Sequence, residues 1–317
     1  MRCVLLSRTT NMRAHLASEI TRLEGQISFV DHLDADRHRD ADGAADVRLA
    51  VAWNPPADAF DHYPNLKAVC SIGAGADNIL RCPSLRDDIE VVRVVDPEQA
   101  RMMSGFVIWH VIGHQRRFAT YRAQQQNRIW KRLPQRTPQQ LPIALLGYGA
   151  IGARVAADLS ALGFPVKVWS RSNKPVPPGI TGFHGRDGLR ALLPDTEILI
   201  NLLPLTAETR GILNRDVFDA MRRGGYLIQV GRGDHLVEAD LVDALDSGQL
   251  AGAALDVFAK EPLAKEHPFW GRSDIFVTPH DACDVSMSAV GRTILATAEA
   301  VRMGVRPRDA VDRGKGY

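Results

Sequence analysis

The sequence predicts an α/β protein of two doubly wound, parallel-sheet domains, one inserted within the other. Three observations carry this. Short apolar runs alternate with helical patterns along almost the whole chain of 317 residues, as βαβ units do. One of the runs opens into Gly147-x-Gly149-x-x-Gly152 and then a helix. Two long apolar helical stretches, near 99–118 and 285–303, bracket the second half of the alternation, as crossings between domains would.

Taken in order, Val4–Leu6 reads as a first strand, followed by a helix near 11–23. Further strands fall at Leu49–Ala52, Leu66–Val69 and Val91–Val95. The intervening stretch DHLDADRHRDADG (31–43) fails as a calcium loop: His38 falls where the first ligand belongs and no Glu closes it. It reads as a solvated loop or helix end. A long helix is predicted over Gln99–Phe118, with Arg116 and Arg117 on its face. The Pro- and Gln-rich KRLPQRTPQQLP (131–142) then reads as a connection. A six-strand domain follows, with strands at Ile143–Gly147, Val166–Ser170, Ile198–Leu203, Tyr226–Val230, Ala253–Phe258 and Ile275–Thr278. Helices lie near 151–162, 215–222 and 239–247, Asn214 capping the second. The expected organisation is a substrate-binding domain over 1–98 and 285–317, split by a nucleotide-binding domain over 99–284.

Composition bounds the function. The chain is 45% hydrophobic and 24% charged, with a formal charge of +2. That is no electrostatic footprint for nucleic acid, and no apolar run reaches the roughly 20 residues of a membrane span. The opening MRCVLLSR is too short for a signal-peptide core. The four cysteines, Cys3, Cys70, Cys82 and Cys283, are scattered without CxxC spacing. Neither a metal site nor a disulfide framework is expected, and a reducing cytoplasm is the default location.

The glycine motif IALLGYGAIGARVAADL gains weight from its context of strand before and helix after. Gly147 permits the tight turn, Gly149 lets backbone approach a pyrophosphate, and Gly152 lets helix and strand pack closely. The pyrophosphate would rest on the N–H groups at the positive end of the helix. The next strand selects the cofactor. It ends in VWSRSNK, placing Ser170, Arg171, Ser172 and Lys174 where an NAD site would carry a carboxylate for the ribose hydroxyls. A guanidinium fork, a hydroxyl and an ammonium suit a 2′-phosphate, so NADP(H) is expected, with NAD(H) a weaker alternative.

Three further features end apparent strands, where ligands bind in open α/β sheets: Arg232 in QVGRGDHL, Asp256 and Glu261 in ALDVFAKEPL, and His280 in FVTPHDA. Each alone has a plain structural reading as a solvated arginine, a loop acid or a structural histidine. Together, behind a dinucleotide fingerprint, they suggest reduction of a 2-keto acid. That reaction needs a cation for the carboxylate, a proton donor for the carbonyl and a hydride source. A carboxylate beside the histidine would keep it protonated near neutral pH. In the first domain, Gly73, Ala74 and Gly75 of VCSIGAGADNI follow a strand and could form a backbone nest for an anion.

These pieces resemble the D-isomer-specific 2-hydroxyacid dehydrogenase family, and within it the glyoxylate/hydroxypyruvate reductase A branch. SIGAGAD, GYGAIG, WSRS, INLLPLTAETRGI, GRGDHL, ALDSGQLAGAALDVFAKEPL, TPHDA and the closing VDRGKGY carry the likeness along nearly the whole chain. The resemblance implies two Rossmann-like domains with the site in the cleft, usually a homodimer, reducing glyoxylate or hydroxypyruvate to glycolate or D-glycerate. It assigns Arg232 to the keto acid, His280 to proton donation, Glu261 to pairing with that histidine and Asp256 to the nicotinamide amide. It adds Ala150, Ile151, Leu203, Pro204, Val230 and Gly231 as cofactor-lining positions. Trp53, in AVAWNPP, corresponds to a branch tryptophan that roofs a small substrate; its alternative is a core residue. Two departures stand out. Gly105-Phe106 replaces a Glu-Tyr or Glu-His pair, and Asp281-Ala282-Cys283 replaces an apolar residue followed by Ala-Ala. Two rival readings remain: a dinucleotide-sensing binding protein on the same fold, and a dehydrogenase of other substrate preference.

Overall fold

In a computed structural model, which describes residues 1–32 and 41–314, the chain forms two compact units. One comprises Met1–Glu98 and Asp284–Tyr317, the other Gln99–Cys283. Most of the stretch tested as a calcium loop, His38 included, lies outside the described residues. Among the described residues, no His, Cys, Asp and Glu side chains gather as a metal-binding group, and no helix is long and apolar enough to cross a membrane.

The first unit contains β1 (Arg2–Ser7), α1 (Met12–His15), α2 (Ala17–Leu23), β2 (Ser28–Asp31), α3 (Ala41–Ala45), β3 (Val47–Trp53), β4 (Ala68–Ser71), α4 (Asp77–Leu80) and β5 (Glu90–Val92). Its strands run parallel in the order β2-β1-β3-β4-β5. Side chains alternate between two buried layers. Cys3, Leu5, Leu49, Val51 and Cys70 face Leu16, Leu23, Ile294 and Ala298, whereas Val4, Leu6, Ala50 and Val69 face Phe60, Tyr63, Leu66 and Ile79. Strands buried on both faces read as continuous apolar runs, which is why β1, β3 and β4 are visible in the sequence. The edge strand β2 has no buried position, carries no such run and was not expected. The helix predicted over 11–23 is broken at Leu16 (φ −100°, ψ 15°).

The second unit contains α5 (Pro97–Gln115), α6 (Phe118–Gln126), β6 (Ile143–Leu146), α7 (Ala150–Ala161), β7 (Val166–Ser170), β8 (Ile180–His184), α8 (Gly185–Leu192), β9 (Ile198–Asn201), α9 (Arg215–Ala220), β10 (Gly225–Gln229), α10 (Glu238–Asp246), β11 (Leu250–Leu255) and β12 (Ile275–Val277). The last helix of the chain, α11 (Met287–Met303), belongs to the first unit. The second sheet has seven parallel strands, in the order β12-β11-β10-β9-β6-β7-β8. The expected six thus gain β8, an edge strand exposed at most positions. Chain direction across the sheet reverses between β6 and β9, so the ligand crevice of such a fold lies beyond their carboxyl ends. Met103, Val107 and Val111 of α5 share one layer with Val155, Ala156 and Leu159 of α7. Phe218, Leu241 and Leu245 lie in the opposite layer.

Arg116 and Arg117 are not on a helix face. Arg117 adopts a left-handed φ of 54° between α5 and α6, which divides the long predicted helix. Asn214 caps α9 as expected, its side chain accepting from Val217 N. At the amino end of β9, buried Glu197 receives His114 Nε2 at 3.0 Å and the Arg136 guanidinium. The His114 ring stacks on Tyr226, with centroids 4.8 Å apart.

Candidate active site

The turn after β6 has the properties a dinucleotide requires. Gly147 sits at φ 105°, and a Cβ there would come within 2.8 Å of the Leu202 carbonyl oxygen. A Cβ on Gly152 would lie 2.1 Å from the Gly147 oxygen. Around Gly149, by contrast, nothing lies within 4 Å of an added Cβ. Gly149 is also the N-cap of α7, with no side-chain cap bond. The leading N–H groups of a 12-residue helix, Ala150 and Ile151 among them, therefore face a space that a phosphate can enter.

At the end of β7, Ser170 is buried and its hydroxyl donates to Ser172 O at 2.8 Å. That hydroxyl is spent within the loop, so a 2′-phosphate would meet exposed Arg171, Ser172 and Lys174. Lys174 Nζ donates to Tyr148 O at 2.8 Å, bringing an ammonium to the glycine turn.

Arg232 follows β10 and is half-buried. Its flanking glycines are explained by close approach rather than by turn conformation. A Cβ on Gly233 would sit 1.8 Å from the Phe258 carbonyl carbon and 2.1 Å from Ala259 N. One on Gly231 would lie 2.8 Å from Asn201 Nδ2 and 2.9 Å from His235 Nδ1. The arginine loop is thus packed backbone to backbone on the loop that leads to Glu261.

Glu261 Oε2 meets His280 Nδ1 at 2.9 Å, and its Oε1 accepts from Phe258 N at 3.0 Å. The hydrogen bond to Glu261 raises the His280 pKa above its ordinary value, against an opposing contribution from burial. Burial pushes the Glu261 carboxyl up, but the bonds from His280 and Phe258 outweigh it, and its net pKa is lowered. The positive charge of Arg232 acts on both groups. With Nδ1 engaged, Nε2 is the nitrogen that can pass a proton to a ligand.

His280 itself is in the left-handed region, φ 57°, which costs a non-glycine residue about 1–2 kcal/mol. Asp256 compensates. Its carbonyl accepts His280 N at 2.8 Å, and its carboxylate accepts Asp281 N at 2.8 Å, Ala282 N at 3.1 Å and Thr278 Oγ1 at 2.7 Å. Three consecutive backbone donors end on one buried residue, so Asp256 shapes the histidine turn. Asp281 is anchored through its backbone and exposed. The other departure, Gly105, is on the exposed face of α5, while the Phe106 ring lies 4.6 Å from that of His110.

Three residues not singled out in the sequence complete this unit's site. Asn201, Gln229 and His235 are each 0% exposed. Asn201 Nδ2 donates to Gln229 Oε1 at 2.8 Å and approaches His235 Nδ1 at 2.9 Å. Gln229 Nε2 donates to Arg232 O at 2.9 Å, and its Oε1 accepts Gly231 N at 3.2 Å. His235 Nδ1 accepts Arg232 N at 3.1 Å, and its Nε2 reaches Pro204 O at 3.2 Å. A usable sequence signal existed: EILIN and GYLIQ are apolar strands that each end in an amide, and Asn201 pairs with Gln229 in register. Leu203 and Val230 are buried beside this network, Leu203 N donating to Asn201 Oδ1 at 3.3 Å.

In the first unit, Trp53 ends β3 and is half-buried. Its ring lies 3.3 Å from where a Gly73 Cβ would stand. Gly73 N donates to Ser71 Oγ at 3.1 Å, and Ser71 Oγ donates to Gly75 O at 2.7 Å. Gly73 is therefore occupied within its loop, and an anion there would be met by Ala74 and Gly75.

Residues 108–282 match the family model of the D-isomer specific 2-hydroxyacid dehydrogenase, NAD binding domain. The chain belongs to the D-isomer-specific 2-hydroxyacid dehydrogenase family. It is 40% identical over 273 residues to a glyoxylate/hydroxypyruvate reductase A of Salmonella heidelberg (strain SL476), covering 84% of this chain and 87% of the relative. Its fold matches a family dehydrogenase from Xanthobacter autotrophicus Py2 solved with NADPH and MES (TM-score 0.92, 34% identity, covering 100% and 99% of the two chains). It also matches the NADPH-dependent glyoxylate/hydroxypyruvate reductase of Sinorhizobium meliloti solved with NADP and sulfate (TM-score 0.91, 32% identity, covering 100% and 99%). Within the dehydrogenase family, the likeness is therefore to the glyoxylate/hydroxypyruvate reductase A branch.

Proposed function

We propose that this protein is an NADPH-dependent 2-keto acid reductase, acting on glyoxylate and hydroxypyruvate to give glycolate and D-glycerate. The observation that carries the reading is the Glu261–His280 pair at 2.9 Å, with Glu261 on a loop packed against the one that bears Arg232. The unit of Gln99–Cys283 binds the cofactor and the unit of Met1–Glu98 and Asp284–Tyr317 contributes to substrate binding.

When bound, NADPH supplies the hydride that goes to C2 of the keto acid. The chain's residues do the rest. The Arg232 guanidinium grips the carboxylate and polarises the ketone. As C2 takes the hydride, the carbonyl electron pair moves to oxygen, and His280 Nε2 gives that oxygen its proton. Glu261 holds the imidazolium until transfer and keeps its tautomer afterwards. Asp256 fixes the histidine turn and offers its acidic edge to the nicotinamide amide. Gly147, Gly149, Ala150, Ile151 and Gly152 take the pyrophosphate; Leu203, Pro204, Val230 and Gly231 line the nicotinamide half. Arg171, Ser172 and Lys174 take the 2′-phosphate, with Ser170 shaping their loop. Trp53, Gly73, Ala74 and Gly75 bound the small acid from the first unit.

The test is a panel of 2-keto acids with NADPH and with NADH, followed at the nicotinamide absorbance. Rapid oxidation of NADPH by glyoxylate or hydroxypyruvate supports the reading; binding of NADPH without turnover of any 2-keto acid would replace it with a dinucleotide-sensing role.

The same reading includes a homodimer. Trp109, Phe118, Ile129 and Trp130 expose 55%, 48%, 53% and 100% of their surface, apolar area that a second copy would cover. Light scattering at micromolar concentration tests it. The same reading includes a cytoplasmic location, which fractionation would check.

A further inference from the structure

The hydrogen bonds around His235 point to one tautomer. Leu203 N–H fixes the Asn201 oxygen, so the Asn201 nitrogen is the atom facing His235. Gly231 N–H fixes the Gln229 oxygen, and Gln229 Nε2 donates to the Arg232 carbonyl. His235 Nδ1 therefore faces two donors, Arg232 N–H and Asn201 Nδ2–H, and carries no proton. Its proton is on Nε2 and is donated to Pro204 O. A single buried ring thus holds two loops by opposite edges. One follows β10 and presents Arg232. The other follows β9 and carries Leu203 and Pro204.

Burying a neutral imidazole is costly unless each polar atom is satisfied, and a leucine would fill the space without that demand. What the imidazole adds over leucine is its two-ended grip on backbone, which side-chain packing cannot supply. Gly231 has been cleared to admit the ring, since a Cβ there would lie 2.9 Å from Nδ1.

We propose that His235 is a positioning residue that ties the Arg232 loop to the Leu203–Pro204 loop, so that the grip on the keto acid and the seating of the nicotinamide share one buried support. The inference rests on the roles given above to Arg232, Leu203 and Pro204.

Two substitutions separate the edges. His235→Asn keeps an acceptor near the position of Nδ1 and loses the reach to Pro204. His235→Gln keeps a donor near the position of Nε2 and loses the acceptor for Arg232 N–H. The measurements are the Kd of NADPH, the Kd of oxalate for the NADPH complex, KM and kcat for glyoxylate, and Tm. Loss of one such bond is expected to weaken the corresponding ligand about 3- to 10-fold. His235→Gln should weaken oxalate and raise KM while NADPH stays within about twofold; His235→Asn should weaken NADPH more than oxalate. If both substitutions shift NADPH and oxalate in parallel with Tm, or shift neither, His235 is a packing residue and the proposal fails. Should one variant not fold, the other still gives its own ratio of the two constants. Oxalate and NADPH binding need no turnover. A wild-type protein that binds both but leaves glyoxylate unreduced would count against the function and leave the test of His235 intact.

Discussion

Gly233 and Phe258 touch through their backbones: a Cβ on the glycine would fall 1.8 Å from the phenylalanine carbonyl carbon. This contact sets the spacing between the loop of Arg232 and the loop of Glu261. Neither loop can relax alone, because the obstructing atoms are main chain.

Gly233→Ala is accordingly expected to destabilise the protein by about 1–3 kcal/mol, the range for overpacking, and to lower kcat/KM for glyoxylate. Gly149→Ala is the control. An added methyl there meets nothing within 4 Å, so Tm should hold while NADPH affinity falls. Chemical denaturation and cofactor titration of the pair distinguish a packing glycine from a ligand-clearance glycine.

His280→Ala should reduce kcat by about 100- to 10,000-fold, the usual contribution of a positioned general acid, with little change in NADPH Kd. Near-normal kcat would remove His280 from the reaction.

Because its bond to Glu261 raises the pKa of His280, the protonated donor persists above the ordinary histidine range. Keto acid reduction should be level at lower pH and decline as pH rises through that raised pKa. Glu261→Gln removes the charge that holds the proton, so the declining limb should move to lower pH. A pH profile of kcat/KM whose basic limb is unmoved in the Glu261→Gln variant would separate that limb from this pair.

Arg171→Ala should weaken NADPH far more than NADH, since only the former carries the phosphate that an exposed guanidinium at the end of β7 can grip. Equal losses, measured by titration of both cofactors, would dissociate Arg171 from the 2′-phosphate.

A stability test lies at the opposite end of β9. Burial raises the Glu197 pKa, but hydrogen bonds from His114 and Arg136 bring the net value below ordinary. A lowered folded pKa contributes stability above the unfolded value, lost as pH falls through the folded one. Glu197→Gln should therefore cost about 1.5–3 kcal/mol near neutral pH, the scale of hydrogen bonds to a charged group. That deficit should shrink as pH drops below the carboxylate range, as denaturant midpoints at several pH values would reveal.

Part of this fold leaves a one-dimensional trace in the sequence. Strands such as β6 and β9, buried on both faces, read as apolar runs; Gly152 is demanded by a contact within its own βα turn, and Gly147 by its positive φ and by the Leu202 backbone after β9. The edge strands β2 and β8 leave none, because an exposed edge needs no such run. The break at Arg117 leaves none, because no glycine or proline marks that left-handed residue. Asn201, Gln229 and His235 escaped because their function lies in mutual satisfaction across two strands and a loop, which no single segment displays. The bond from the Ser170 hydroxyl to Ser172 O is likewise visible only once the loop is folded.

Asp96 and Ser286 join the two ends of the first unit's sequence. The Asp96 carboxylate accepts both the backbone N–H and the hydroxyl of Ser286, each at 2.8 Å, although 190 positions separate them. Ser286 begins α11, which lays Val290, Ile294 and Ala298 on the first sheet. During synthesis that sheet is made first and covered last. The nascent chain must carry an open apolar face until α11 emerges, while the intervening unit already has all its parts. Chains truncated before residue 287 are thus expected to hold a finished cofactor unit and an unfinished neighbour, with the exposed sheet recruiting chaperones.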